Sequence, residues 1–213
     1  MVYFVGAGTG APDLITVRGR RYLEQADVII YAGSLVNPEL LSYAKKDCEI
    51  FNSATMTLEE VIAVMERAEQ EQKMTVRLHT GEPSIYGAVR EQMDILDEKG
   101  ISYESCPGVS ACFGAAASLN LEYTLPGISQ SLIITRMAGK TPVPEREHRE
   151  LCGTWSIHGD LSEHRKTRGA HRAACRRRLS GGYACGSCIQ GDLAGGRSVS
   201  VYGGTVRRDG KSA

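Results

Sequence analysis

Glycine-rich segments are the residues of this sequence best suited to shape a binding site. Gly6, Gly8 and Gly10 occupy alternate positions, and glycine allows the backbone to approach a ligand phosphate closely. A dinucleotide fingerprint requires a G-x-G-x-x-G pattern that runs directly into a helix, and an acidic residue that ends the second strand. Here Pro12 follows the third glycine and Tyr31 is followed by Ala-Gly-Ser, so the spacing argues against a nicotinamide site. A purely structural glycine loop and a site for another ligand both stay open at this point.

Three other groups of residues could do chemistry, and each has a simpler interpretation. His79 precedes the segment 81–83 and could act as a general base, but a histidine that only shapes a pocket is the more common case. Cys185 and Cys188 have C-x-x-C spacing without a second pair at finger-like spacing, so we predict no metal site. The arginine run 176–178 lacks interleaved aromatic residues and predicts a solvated basic segment, not a nucleic-acid site.

Apolar runs alternate with helical patterns over the first 145 residues. Thr57 and Glu60 form a capping box before an amphipathic helix, which illustrates the pattern. We predict strands at 2–5, 27–31, 49–51, 75–79, 102–104 and 131–135, and helices after Thr16 and at 38–46, 58–72, 87–99 and 109–119. This alternation predicts an α/β fold with a mostly parallel sheet. Ligands of such sheets bind beyond the strand carboxyl ends, which points to the loops 6–13, 32–37, 80–86 and 106–110.

Composition limits the possible partners. The 213 residues carry 25 basic and 25 acidic side chains, so the chain is not a globally basic nucleic-acid binder. Its apolar runs are shorter than the ~18 residues of a membrane helix, and no basic region precedes the first of them. We therefore expect a cytoplasmic protein with no membrane partner, in which the seven cysteines stay reduced.

Three segments, in order, resemble the signature segments of the tetrapyrrole (corrin/porphyrin) methylases. They are 5–19 (VGAGTGAPDLITVRG), 77–87 (RLHTGEPSIYG) and 107–111 (PGVSA). The segments 31–38, 56–60, 125–126, 135–136 and 141–144 are similar to the subgroup that methylates carbon 11 of precorrin-4 or cobalt-precorrin-4. The resemblance covers about residues 1–147. It implies a tetrapyrrole methylase-like fold of two α/β domains, a tetrapyrrole substrate, and S-adenosylmethionine as the methyl donor.

The resemblance also implies a set of site residues. Those that correspond to cofactor-binding positions are Thr9, Gly81, Glu82, Ile85, Tyr86, Ser110 and Ala111. The expected substrate-binding residues are Gly8, Arg18, Ser34, Arg77 and Arg136, because arginines can bond the carboxylates of a precorrin. Asp13 is the candidate catalytic residue, with the role of moving a proton. Two residues depart from the family pattern, since the family more often has Pro at the place of Thr9 and Asp at the place of Glu82.

The sequence changes character after His148. Residues 146–213 carry 13 basic against 6 acidic side chains, whereas residues 1–145 carry 12 against 19, and the apolar periodicity stops. We predict an N-terminal domain at 1–128 and, at 129–213, an incomplete or degenerate second α/β domain, whose first strand at 131–136 is family-like and whose residues from about 150 are atypical. Our hypothesis is a change of reading frame near 146–152.

The alternatives to carbon-11 methylation are a catalytically incompetent fragment and methylation of another ring carbon. A homodimer is expected if the second domain is intact.

Overall fold

The computed structural model describes residues 1–118, 120, 122–124, 126, 130, 132–135, 157–160, 185–187 and 202–204. The chain forms two compact units, Met1–Gly114 and Ala115–Ala213, within each of which the residues mainly contact one another. The predicted boundary after residue 128 stays a prediction, because the residues on both sides of it lie outside the described part.

A five-stranded parallel sheet forms the centre of the first unit. Its strands are β1 (Val2–Gly6), β2 (Val28–Tyr31), β3 (Glu49–Asn52), β4 (Thr75–His79) and β5 (Tyr103–Cys106). They lie in the order β3-β2-β4-β1-β5, and every neighbouring pair is parallel. The predicted α/β fold with a mostly parallel sheet is confirmed for this unit. All five strands therefore end at one edge, and β4, β1 and β5 end side by side.

The central strands β1, β2 and β4 are largely buried on both faces, and β1 and β2 accordingly consist of almost continuous apolar runs. The edge strands β3 and β5 are partly exposed. The helices are α1 (Val17–Gln25), α2 (Leu58–Gln70), α3 (Arg90–Glu98) and α4 (Ala111–Ser118). Leu23 of α1 packs in one core cluster with Ile29 and Leu78. Met65 of α2 and Leu96 of α3 pack in a second cluster with strand residues such as Phe4 and Ile30. Successive side chains of a strand point to opposite faces, so this cluster lies on the other face of the sheet. The two layers of helices hold the strand ends, and so the loops beyond them, in place.

Helix boundaries follow the predicted caps, with two corrections. Thr16 accepts a hydrogen bond from the Gly19 amide at the start of α1, and the Thr57 capping box begins α2 as predicted. The segment predicted as a helix over 38–46 is a shorter 3-10 helix, Pro38–Tyr43. The helix predicted from residue 87 begins only at Arg90, because Tyr86 and Ala88 have φ values of 57° and 49° that no right-handed helix contains.

In the second unit the structure describes four short strands. β6 (Leu132–Thr135) pairs in parallel with β7 (Ile157–Asp160), and β8 (Cys185–Ser187) pairs antiparallel with β9 (Tyr202–Gly204). The strand predicted at 131–136 is confirmed as β6. The hypothesis of a changed reading frame concerns residues that lie almost wholly outside the described part. None of the helices described combines the length and apolar character needed to cross a lipid bilayer.

Candidate functional site

Three loops meet at the carboxyl edge of the sheet, where β4, β1 and β5 end. The loop after β1 and the loop after β4 are joined by a two-residue antiparallel bridge between Gly8 and Gly81. The Gly8 amide donates to the Gly81 carbonyl at 3.3 Å, and the Gly81 amide donates to the Gly8 carbonyl at 3.0 Å. The Ala7 amide also donates to the His79 carbonyl at 2.7 Å. These bonds fix the first two loops against each other.

The backbones of Gly6, Gly81 and Gly108 pack so closely that no side chain fits among them. A Cβ placed on Gly6 would lie 2.5 Å from the Gly108 Cα and 2.6 Å from the Gly81 carbonyl oxygen. A Cβ on Gly108 would lie only 2.2 Å from that same oxygen. We call these three residues the glycine junction. Close approach of three chain segments is therefore the physical reason for glycine at these positions.

The glycine junction opens towards the first turn of α4. Gly81 has a φ of +58°, and among the residues described here a Cβ at this position would meet only the Ala111 nitrogen at 3.7 Å and the Ser110 Cα at 3.9 Å. The space in front of Gly81 is thus a cradle that a side chain would partly fill. The first amides of a helix have no intrahelical acceptor and carry a partial positive charge. Gly81, Ser110 and Ala111 are brought together here, and the cradle fits a ligand with hydrogen-bond acceptors.

Thr9 and Ser110 are buried beside this cradle. Thr9 is 5% exposed, and its Oγ1 is buried with no hydrogen-bond partner among the described residues. Thr9 packs against α4, since a Cβ on Gly114 would lie 2.3 Å from the Thr9 Cγ2. Ser110 is 4% exposed, and its Oγ accepts a bond from the Cys112 Sγ at 3.3 Å. A buried hydroxyl without a partner costs free energy, so Thr9 is available to a ligand that displaces its present packing.

The loop after β4 contains three more of the predicted cofactor-binding residues. Glu82 is half-buried, and both of its carboxylate oxygens accept bonds from backbone amides, those of Ser84 and Gly108. Ile85 closes a turn by donating its amide to the Glu82 carbonyl at 3.1 Å. Tyr86 is 53% exposed and has a φ of +57°. Left-handed backbone at a non-glycine residue is strained and is typical of functional loops.

Arg77 and His79 lie under the loops, on the face of β4 that packs against Phe4. Arg77 is 7% exposed; its Nε donates to the Gln92 Oε1 at 3.0 Å, and a terminal nitrogen donates to the Ile30 carbonyl at 3.1 Å. Burial lowers the pKa of Arg77 to about 10. The guanidinium is bonded to groups of the protein itself, so the structure gives no support to its prediction as a substrate contact.

His79 is 4% exposed, and its ring stacks on Phe4 with the ring centroids 6.1 Å apart. Its Nε2 is buried, with no hydrogen-bond partner in the part of the chain that the structure describes. Burial, together with the charge of Arg77, lowers the pKa of His79 to about 3. At neutral pH this imidazole is uncharged and weakly basic. Its position favours the interpretation of a histidine that shapes the core under the site over that of a general base.

The candidate catalytic residue, Asp13, and the predicted substrate-binding residue Arg18 both lie on the surface of the first unit. Asp13 is exposed on a 3-10 helix, Pro12–Leu14. It lines a surface groove of about 450 Å³ together with Arg20 and Arg21. Arg18 is exposed and lies 3.9 Å from the carboxylate of Glu104.

Three predicted substrate-binding residues remain. The backbone of Ser34 lies in a 3-10 helix after β2, Gly33–Leu35. Gly8 belongs to the bridge described above. Arg136 lies outside the described residues.

Asn37 positions the first loop and was not singled out from the sequence. It is 7% exposed, and its Nδ2 donates to the Gly10 carbonyl at 2.7 Å while its Oδ1 accepts from the Glu39 amide at 3.0 Å. The signal was present, since an Asn directly before Pro38 is typical of a helix cap. Within the described residues, no group of three or more His, Cys, Asp or Glu is arranged to hold a metal ion.

Known proteins are similar to this chain in both sequence and fold. The chain is 55% identical over 166 residues to the cobalt-precorrin-4 C(11)-methyltransferase of Methanocaldococcus jannaschii, covering 78% of this chain and 61% of that protein. It is 45% identical over 170 residues to the precorrin-4 C(11)-methyltransferase of Pseudomonas aeruginosa, covering 80% and 64%. The X-ray structure of a cobalamin biosynthetic enzyme, cobalt precorrin-4 methyltransferase, superposes with a TM-score of 0.65 at 48% identity, covering 68% of this chain and 60% of that one.

The chain spans about three fifths of the length of these relatives. The family profile described as Tetrapyrrole (Corrin/Porphyrin) Methylases matches residues 1–164, which extends past residue 147 where the resemblance of motifs ended. That match includes the sheet and all three loops of the glycine junction. With profile, sequence and fold in agreement, the chain belongs to the tetrapyrrole (corrin/porphyrin) methylase family.

Proposed function

We propose that this chain binds S-adenosylmethionine and transfers its methyl group to carbon 11 of precorrin-4 or cobalt-precorrin-4, a reaction of cobalamin biosynthesis. The observation that carries the proposal is the cradle in front of Gly81, built by the glycine junction and facing the first turn of α4. The names of the relatives support the substrate, since both act on carbon 11 of a precorrin-4.

Backbone groups would hold most of the cofactor in this arrangement. Gly81 leaves room for it, and Ser110 and Ala111 present the start of α4 to its acceptor atoms. The Thr9 hydroxyl, which has no partner within the described residues, can donate or accept a bond to the cofactor. When bound, S-adenosylmethionine supplies a methyl group on a positively charged sulfur, so an electron-rich ring carbon needs alignment with it and no nucleophilic side chain.

Alignment and exclusion of water are therefore the main contributions expected of the protein. The rigidly bridged loops satisfy the first requirement, because Gly8 and Gly81 are bonded to each other in both directions. Arg18 and Arg136 are the proposed contacts for substrate carboxylates. Asp13, an exposed carboxylate on the first loop, is the proposed acceptor for the proton that the substrate releases.

Isothermal titration of the full chain with S-adenosylhomocysteine tests the cofactor half of this proposal. We expect saturable binding at one site per chain. A Gly81→Val variant provides the control, because its side chain would enter the cradle while the sheet below is unchanged. Absence of binding to a folded chain, or equal binding by a folded Gly81→Val variant, would contradict the proposed site.

The alternative function is that of a chain which keeps the cofactor loops but does not turn over. The composition of residues 146–213 favours it, since 11 of the 18 arginines and 12 of the 24 glycines lie there. Resequencing the gene across codons 140–160 checks the hypothesis behind this alternative. An inserted or deleted base would support it, and an unbroken frame would contradict it. Methylation of another ring carbon, homodimer formation and a cytoplasmic location stay predictions from the sequence.

A further inference from the structure

Glu82 joins two loops of the candidate site that start from strands which are not neighbours. Its Oε1 accepts from the Ser84 amide at 2.9 Å, within its own loop. Its Oε2 accepts from the Gly108 amide at 2.7 Å, in the loop after β5. Since β1 lies between β4 and β5 in the sheet, the carboxylate passes over the end of β1 to reach Gly108.

The length of the side chain is what allows both bonds. An aspartate at this position could still accept from the amide two residues ahead, as in an Asx turn. It is one methylene shorter, so it could not keep that bond and reach Gly108 as well. Glutamate at position 82 is thus suited to a bond between loops that the shorter aspartate would not make.

The hydrogen bond from the Gly108 amide to Glu82 influences the width of the cradle. Gly108 lies against Gly81 in the glycine junction and shortly precedes Ser110 and Ala111. A Cβ on Gly81 would lie 3.9 Å from the Ser110 Cα and 3.7 Å from the Ala111 nitrogen. A carboxylate attached beside Gly81 and bonded to Gly108 therefore fixes the width of the gap between Gly81 and α4. A bond of this type, from a backbone amide to a charged acceptor, is stronger than a bond between neutral groups.

We propose that Glu82 is a positioning residue: its carboxylate holds the loop after β4 to the loop after β5 and so sets the gap in which the ligand binds, without contacting the ligand. The identity of the ligand in this proposal rests on the proposed function above. The contact between loops does not, because both of its bonds are present in the chain alone.

Amide hydrogen exchange of the full chain tests the contact without a ligand. In a Glu82→Asp variant, exchange of the Gly108 amide should become about tenfold faster or more, since a lost bond to a charged acceptor contributes on this scale. The Ser84 amide should stay protected, because aspartate keeps that bond. Glu66→Asp, on α2, is the matched control and should leave both amides unchanged. Unchanged exchange of Gly108 in Glu82→Asp would overturn the proposal.

Binding of two ligands separates positioning from direct contact. S-adenosylhomocysteine carries an amino-acid part that 5′-methylthioadenosine lacks. If Glu82 only sets the gap, Glu82→Asp and Glu82→Gln weaken both ligands by the same factor. If Glu82 bonds the amino-acid part, only S-adenosylhomocysteine is weakened, and the proposal is wrong. Should the unmodified chain bind neither ligand, the proposed function fails, and the exchange experiment still decides whether Glu82 holds the loops together.

Discussion

Replacement of Gly108 by alanine is the smallest change that should disrupt the glycine junction. The added Cβ would lie 2.2 Å from the Gly81 carbonyl oxygen and 2.7 Å from the Gly6 Cα. Both neighbours are backbone atoms, so neither can rotate away as a side chain could. Overpacking of this kind costs about 1–3 kcal/mol, and the loops must separate to relieve it. We expect Gly108→Ala to lower the free energy of unfolding by that amount.

The same displacement should widen the cradle and weaken S-adenosylhomocysteine by about tenfold or more, since ~1.4 kcal/mol corresponds to a factor of ten. Urea unfolding and isothermal titration measure the two effects. Gly100→Ala is the matched control, because a Cβ there meets none of the described residues within 4 Å, and the φ of +67° is what opposes alanine. It should lose stability but keep ligand affinity. A folded Gly108→Ala chain with native stability and affinity would refute the account of the junction.

Three further changes test other parts of the site. Gly81→Val adds a side chain at a φ of +58° and should weaken S-adenosylhomocysteine by about 1–3 kcal/mol in titrations; unchanged affinity would remove this loop from the site. Arg77→Met leaves the Gln92 and Ile30 oxygens without their donor. It should cost about 1–3 kcal/mol in urea unfolding with ligand affinity unchanged, and a loss of substrate affinity alone would show a substrate contact instead. His79 has a pKa lowered from 6.5 to about 3, so between these values the unfolded chain binds the additional proton and stability falls as pH falls, by at most ~1.4 kcal/mol per pH unit. His79→Gln should remove this contribution of His79 to the pH dependence of stability between pH 6.5 and 5, and an unchanged dependence would contradict the lowered pKa of His79. The variant should also lower turnover by much less than the ~10²–10⁴-fold that loss of a general base would cause.

The sheet and its helices could be predicted because their signals are local. Thr16 and Thr57 cap the helices that follow them. The run at 28–31 is apolar because this strand of a parallel sheet is buried on both faces. The predicted start of α3 was wrong because the backbone just before this helix leaves the φ/ψ regions that most residues adopt. Tyr86 and Ala88 have positive φ, which residue type does not indicate, so α3 begins three residues later than predicted.

The site could be predicted as a set of loops but not as a set of contacts. The three loops were found because strand carboxyl ends in a parallel sheet share one edge. Arg77 was predicted to bind the substrate because arginine can bond the carboxylates of a precorrin. Its partners Gln92 and Ile30 are 15 and 47 residues away, and such pairing is invisible without the fold. The bond from Glu82 to Gly108, across 26 residues, was missed for the same reason.

Transfer of an isotopically labelled methyl group tests the central claim most directly. The full chain is incubated with precorrin-4 or cobalt-precorrin-4 and S-adenosylmethionine that carries a ¹³C-labelled methyl group, and the product is analysed by carbon NMR. We predict one labelled methyl group per macrocycle, attached to carbon 11. A label attached to any other ring carbon, or no label in the macrocycle from a chain that binds S-adenosylhomocysteine, would contradict the proposed activity.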